Sequence, residues 1–100
     1  MWNEPTKDEL AALPRLYATD GVKTADQIVK MHFFIGACDW YVVEFDGEDL
    51  FYCYAILNGD LQNAEWGYTS LDALKSVRVD GIEIDRDLYW KERPFKEIRL

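Results

Sequence analysis

Apolar residues crowd the chain in short bursts separated by turn-forming residues, a pattern that predicts strands more than helices. Residues 27–35 are rich in β-branched and aromatic side chains (Ile28, Val29, Met31, Phe33, Phe34, Ile35) and predict a first strand, broken at Gly36-Ala37-Cys38-Asp39. Residues 40–45 predict a second, Asp46-Gly47 a turn, and residues 50–57 a third. Asn58-Gly59 is a turn of the type that suits tight hairpins, and residues 64–68 form a shorter fourth strand. Four neighbouring strands with short links predict an antiparallel meander.

Helical signals flank this block. Thr6 and Glu9 stand at the spacing of a capping box, with acids in the first turn, and the helix they open stops before Pro14. Thr69 or Ser70 caps a helix over residues 71–76, in which Leu71 and Leu74 share one buried face. Asp80-Gly81 is a turn, residues 82–84 are a short extended piece, and Pro94 starts a final short helix to Ile98. The expected fold is α+β: an antiparallel sheet of about four strands, with short helices near the N-terminus, after the sheet and at the C-terminus. With 100 residues and no repeat or linker, residues 1–100 read as one domain.

Composition adds that 49% of residues are hydrophobic, enough to repay the entropy of ordering a core without staples. The start of the chain lacks the basic and apolar stretches of a secretory signal, and no run reaches the length of a membrane span. Cys38 and Cys53 are too few for a disulfide scaffold and read as reduced thiols in a cytoplasmic protein. The net charge of −8 is concentrated: residues 31–74 hold no Lys or Arg but carry Asp39, Glu44, Asp46, Glu48, Asp49, Asp60, Glu65 and Asp72. Direct binding to a nucleic acid or an anionic membrane, which needs cationic side chains, is disfavoured, and a basic protein surface is the natural partner.

Catalytic chemistry finds little support. His32 is the only histidine, and strand pairing could bring it to Cys53, but a reactive thiolate needs an electropositive setting this region lacks. Asp46-Gly47-Glu48-Asp49 lacks the alternating ligands and closing Glu of a calcium loop. Glu83, Asp85 and Asp87 recur at every second residue and could face a divalent ion, although Arg86, Lys91 and Arg93 better explain them as ion-pair partners. No phosphate loop, nucleophile elbow or zinc spacing is present, so no catalytic residue, metal or cofactor is assigned. What remains is an acidic, aromatic middle. Asp39, Glu44, Asp46, Glu48, Asp49, Asp60 and Glu65 are the candidate acidic face, with Trp40, Tyr52, Tyr54 and Trp66 as candidate interface anchors.

Four segments in order carry a family resemblance: residues 13–19 (LPRLYAT), 40–49 (WYVVEFDGED), 65–71 (EWGYTSL) and 84–90 (IDRDLYW). They resemble the bacterial domain-of-unknown-function family 2958, over roughly residues 10–98. Tyr52-Cys53 departs from the Phe-Gly expected there. The resemblance implies an accessory protein of plasmids, phages and integrative elements, and it transfers no catalytic position. Together these features favour a non-enzymatic acidic binding domain of a mobile genetic element. Its expected role is to inhibit a nucleic-acid-binding host defence complex in the manner of an anti-CRISPR or anti-restriction DNA mimic. The competing classes are a small hydrolase or metal-dependent nuclease, and a regulatory or structural subunit of plasmid or phage machinery.

Overall fold

The computed structural model describes residues 1–100. Helix α1 (Lys7–Ala11) opens on the expected capping box: Thr6 Oγ1 accepts from Glu9 N, and the Glu9 carboxyl accepts from Thr6 N at 2.8 Å. Strands β1 (Ile28–Val29), β2 (Met31–Ile35), β3 (Cys38–Phe45), β4 (Leu50–Ile56) and β5 (Glu65–Ser70) follow. Ser70 caps α2 (Leu71–Ser76) by accepting from Ala73 N. The chain ends through the short strands β6 (Arg78–Val79), β7 (Ile82–Glu83), β8 (Asp85–Arg86) and β9 (Arg93–Pro94).

The fold is α+β around a five-stranded sheet of order β5-β4-β3-β2-β8, with every neighbouring pair antiparallel. β2 to β5 form the predicted meander. The fifth strand is an addition: after the β6–β7 hairpin, residues 85–86 lie along the otherwise free edge of β2. The stretch predicted as one strand over 27–35 divides at Lys30, because β1 turns away to pair with β9. The final helix is a single 3-10 turn, Phe95–Glu97, preceded by Pro94. Asn58 and Gly59 both have positive φ, as a tight hairpin turn requires, yet they sit in a longer connection between β4 and β5. Gly59 N donates to Ala37 O at 2.8 Å, which docks this loop on the neighbouring β2–β3 turn. The two-residue hairpin is instead Gly36-Ala37, since Ile35 pairs with Cys38 and Gly36 supplies the positive φ.

Each face of the sheet is buried differently. The inner face carries Met31, Phe33, Trp40, Val42, Phe51 and Cys53, and is covered by Trp2, Leu10 and Leu13 on one side and Leu71 and Leu74 on the other. A fully buried Phe such as Phe33 or Phe51 contributes about 2–3 kcal/mol of apolar burial. The outer face carries Val29, Tyr41, Val43 and Ile56 beneath Trp90, Phe95 and Ile98 of the C-terminal segment. Trp90 fixes that segment by donating its indole N–H to Val29 O at 2.9 Å.

A β-bulge in β3 decides which residues reach which face. Val42 pairs with Cys53 and Glu44 with Tyr52, so Val43 is the extra residue. Strict alternation would turn Glu44 into the inner core and Phe45 outward. The bulge reverses both, and Phe45 packs inside against Phe51 at 5.0 Å. No helix is long and apolar enough to cross a membrane.

Candidate interaction face

The predicted acidic face divides into three groups. Asp39, Asp60 and Glu65 lie toward one end of the sheet, where Asp39 pairs with Ile56 and Glu65 with Ala55. Asp46, Glu48 and Asp49 lie at the β3–β4 turn, at the far end of β4. Glu44 is not on the surface at all, being only 3% exposed. The prediction of one outward array including Glu44 is therefore corrected: two acidic ends are separated by the length of β4.

Most of these carboxyls also have local work. Asp46 accepts backbone N–H groups from Glu48, Asp49 and Leu50, which closes the turn and holds its pKa below the ordinary carboxylate value, chiefly through the Glu48 N–H. Asp49 reaches the start of α2, accepting from Asp72 N at 2.8 Å and from the Ser70 hydroxyl. Asp60 caps a 3-10 turn, and its pKa is lowered chiefly by the Asn63 side-chain amide. Asp39 meets His32 Nε2 at 2.7 Å. Glu48 and Glu65 are exposed with no such task. Arg15 lies against the turn, its Nε 3.2 Å from where a Cβ on Gly47 would stand.

Glu44 serves a different purpose. Its carboxyl accepts from Tyr17 N at 3.0 Å, from Thr19 N at 2.9 Å and from the Thr19 hydroxyl. This clasp holds the loop after α1 against the sheet. Gln27, itself buried, adds a second tie by donating to Thr19 O at 2.9 Å and Val22 O at 3.3 Å. Within the clasp Tyr17 has φ +70°, a left-handed conformation that costs a non-glycine residue about 1 kcal/mol or more. The reward is position: the Tyr17 ring stands exposed beside Tyr68, whose pKa is raised chiefly through hydrogen bonding with the Tyr17 side chain.

Around that point the outer face is aromatic. Tyr52 stacks on Trp66 at 5.5 Å and meets Tyr68 at 5.2 Å, while Tyr54 packs on Trp66 at 5.4 Å. Phe95 closes the group against Tyr54 and Trp66. Burial, with the charges of Glu44 and Asp20, raises the Tyr52 phenol's pKa. Tyr68 is 51% exposed and Tyr17 65% exposed, while Tyr52, Tyr54 and Trp66 are half-buried. Three of the four predicted anchors thus converge. Trp40 does not, because its position in β3 sends it into the inner core, where it is 8% exposed. Tyr17 and Tyr68 were missed by sequence reasoning; for Tyr68, the alternation Trp66-Gly67-Tyr68 on an edge strand was the available signal.

The profile of a family described as protein of unknown function (DUF2958) matches residues 5–96, a span that takes in the clasp, the bulge and the aromatic face. The chain belongs to the DUF2958 family. No curated protein and no solved structure matches it.

The remaining polar groups of this DUF2958 chain are held apart. Cys53 lies on the inner face and His32 on the outer, so the sheet separates the pair considered for nucleophilic chemistry. Burial pushes the Cys53 thiol's pKa up, away from thiolate chemistry. His32 is stacked between Tyr41 at 4.6 Å and Phe34 at 5.3 Å. The acidic trio also disperses: Glu83 pairs with Arg78 at 3.3 Å, Asp85 with the chain's amino group, and Asp87 turns toward His32. The cleft beside β2 and β8 is lined by Glu9, Lys30, Arg86, Asp87, Trp90 and Glu92, and its cations are already paired, Lys30 with Glu92 and Arg86 with Glu9.

Proposed function

We propose that this protein is a non-enzymatic binding module that takes a cationic protein surface on the outer face of β4 and β5. The single observation that carries this reading is the gathering of Tyr17, Tyr52, Tyr54, Trp66 and Tyr68 on a sheet whose residues 31–74 contain no Lys or Arg. Half-buried aromatics supply desolvated anchors, and the acids at both ends steer a basic partner toward them. The finer form of this reading is inhibition of a nucleic-acid-binding host defence complex, in the cytoplasm, on behalf of a mobile genetic element. Such complexes present Lys- and Arg-lined grooves, which fit the cation-free strands β2 to β5. Because the acids form two ends and not one array, affinity is assigned to the aromatic face and steering to the carboxylates.

The test is capture of purified CRISPR effector complexes and restriction enzymes by the immobilised protein at 50 and 500 mM salt. Trp66→Ala or Tyr68→Ala should reduce capture at least about tenfold, and Glu48→Lys with Glu65→Lys should weaken it mainly at low salt. Capture that ignores both the aromatic substitutions and salt would reject the reading.

A further inference from the structure

β5 is the outermost strand of the sheet, and the register shows which of its backbone groups are free. Leu71 N donates to Asp49 O at 2.7 Å, which marks Leu50 and Ser70 as a wide, non-hydrogen-bonded pair. By alternation Glu65, Gly67 and Thr69 turn their amides and carbonyls to β4, while Trp66 and Tyr68 turn theirs outward. Two residues that carry the aromatic face therefore also present unpaired donors and acceptors at the spacing an added strand would meet.

Natural sheets usually blunt such an edge with Pro, Lys, a bulge or a covering element. β5 has no Pro or Lys, and its pairing with β4 runs without a bulge from Leu50–Ser70 to Ala55–Glu65. A Cβ placed on Gly67 would meet nothing within 4 Å, so the inner side of the strand is also open there. The two ends of this edge are acidic. Exposed Asp60 and Glu65 border a hollow at its start, together with Asn58 and Asn63. Asp49 and exposed Asp72 lie past its end, where Asp72 N meets the Asp49 carboxyl.

The geometry points to strand addition: the β5 edge takes an extended segment of a basic partner, hydrogen-bonded to Trp66 and Tyr68, with Lys or Arg at both ends. This rests on the binding-face reading above and specifies its mode. A six-residue strand spans about 20 Å, so the two cations stand about six residues apart, and apolar residues between them lie against the Trp66 and Tyr68 rings. Charge selects this occupant over a second copy of the chain. Antiparallel pairing of two β5 strands would set Asp60 and Glu65 of one copy against Asp49 and Asp72 of the other, with no cation from residues 31–74 between them.

The experiment uses the full chain, isotope-labelled, with a capped heptapeptide Lys-Thr-Val-Thr-Val-Thr-Lys as the probe, and reads amide hydrogen exchange by NMR. Without peptide, the Trp66 and Tyr68 amides exchange quickly while Gly67 and Thr69 are protected. With peptide, Trp66 and Tyr68 slow at least about tenfold, whereas versions with Glu in place of Lys or with alternate backbone nitrogens methylated produce no slowing. Tyr68→Ala, which keeps the outward amide but loses the ring, regains protection at Trp66 at about tenfold higher peptide; Tyr68→Pro, which removes that amide, does not regain it. Strand addition is overturned if Trp66 and Tyr68 stay unprotected while the rings of Tyr17 and Tyr52 still report binding, an outcome that leaves the binding face standing. It is equally overturned if both amides are protected without peptide in proportion to protein concentration, which would identify a second copy. Absence of any ring or amide response, with no capture of basic complexes, would instead sink the underlying reading.

Discussion

Glu44 shows how much one side chain can organise. A buried carboxyl is costly unless its oxygens are used, and here both accept hydrogen bonds, from a loop 25 and 27 residues earlier in the chain. Glu44→Ala should destabilise the fold by about 2–3 kcal/mol, read as a lower urea midpoint, because it strands the Tyr17 and Thr19 amides. Loosening of residues 17–22 in hydrogen exchange should accompany it. Tyr17 gives the complementary case. Asn tolerates the left-handed conformation better than Tyr, so Tyr17→Asn should leave the melting temperature unchanged or raise it, while weakening capture of a basic partner. A fall in melting temperature with intact capture would show that the ring serves packing and not binding.

At the scale of elements, side-chain caps decide where short pieces begin. Ser70 caps α2 and also donates to Asp49, so Ser70→Ala should cost about 1 kcal/mol in thermal or chemical unfolding. The β3–β4 turn has a pH signature. Asp46 has a folded pKa depressed by three backbone N–H groups, so its contribution is present above the ordinary value of about 3.9 and is lost as pH falls through the folded one. Asp46→Asn should flatten the decline in melting temperature below about pH 4 relative to the parent chain. α1, α2 and the meander were legible in the sequence because their signals are local: a cap three residues from its partner, an apolar burst between turns. The bulge was not, because Val43 and Glu44 are displaced by partners far away in sequence. Nor was the path of residues 85–94, whose few strand residues are defined only by the edges of β1 and β2 they meet. The aromatic face was half legible: Tyr52, Tyr54 and Trp66 stood out as aromatic, but Trp40 and Tyr17 exchange places once register and the clasp are known.

For the whole molecule, charge and shape pull apart. Five of the eleven bases pair with acids outside residues 31–74, as in Lys75–Glu4, Arg78–Glu83 and Lys96–Asp26, while Arg15 lies by the Asp46 turn, so most of the sheet's excess is unanswered. Exposed pairs contribute little, so net repulsion should dominate the response to salt. Raising sodium chloride from 10 to 500 mM should therefore increase the melting temperature, with screening most effective between the two acidic ends of β4. A decrease would mean that the terminal ion pairs matter more than the repulsion.

The single extra residue in β3 has a consequence for how this lineage can vary. Losing Val43 would leave Glu44 opposite Tyr52 and Phe45 opposite Phe51, each on the face it already holds, and would remove only a buried valine of the outer cluster. Losing Tyr52 from the facing strand, which has no spare residue, would instead exchange inside for outside along the rest of β4. The eight positions joining β4 to β5 face no such parity constraint. Gaps in an alignment of relatives should accordingly accumulate there and at Val43 and be absent from residues 51–55, which makes length, not residue identity, the most strictly inherited property of β4.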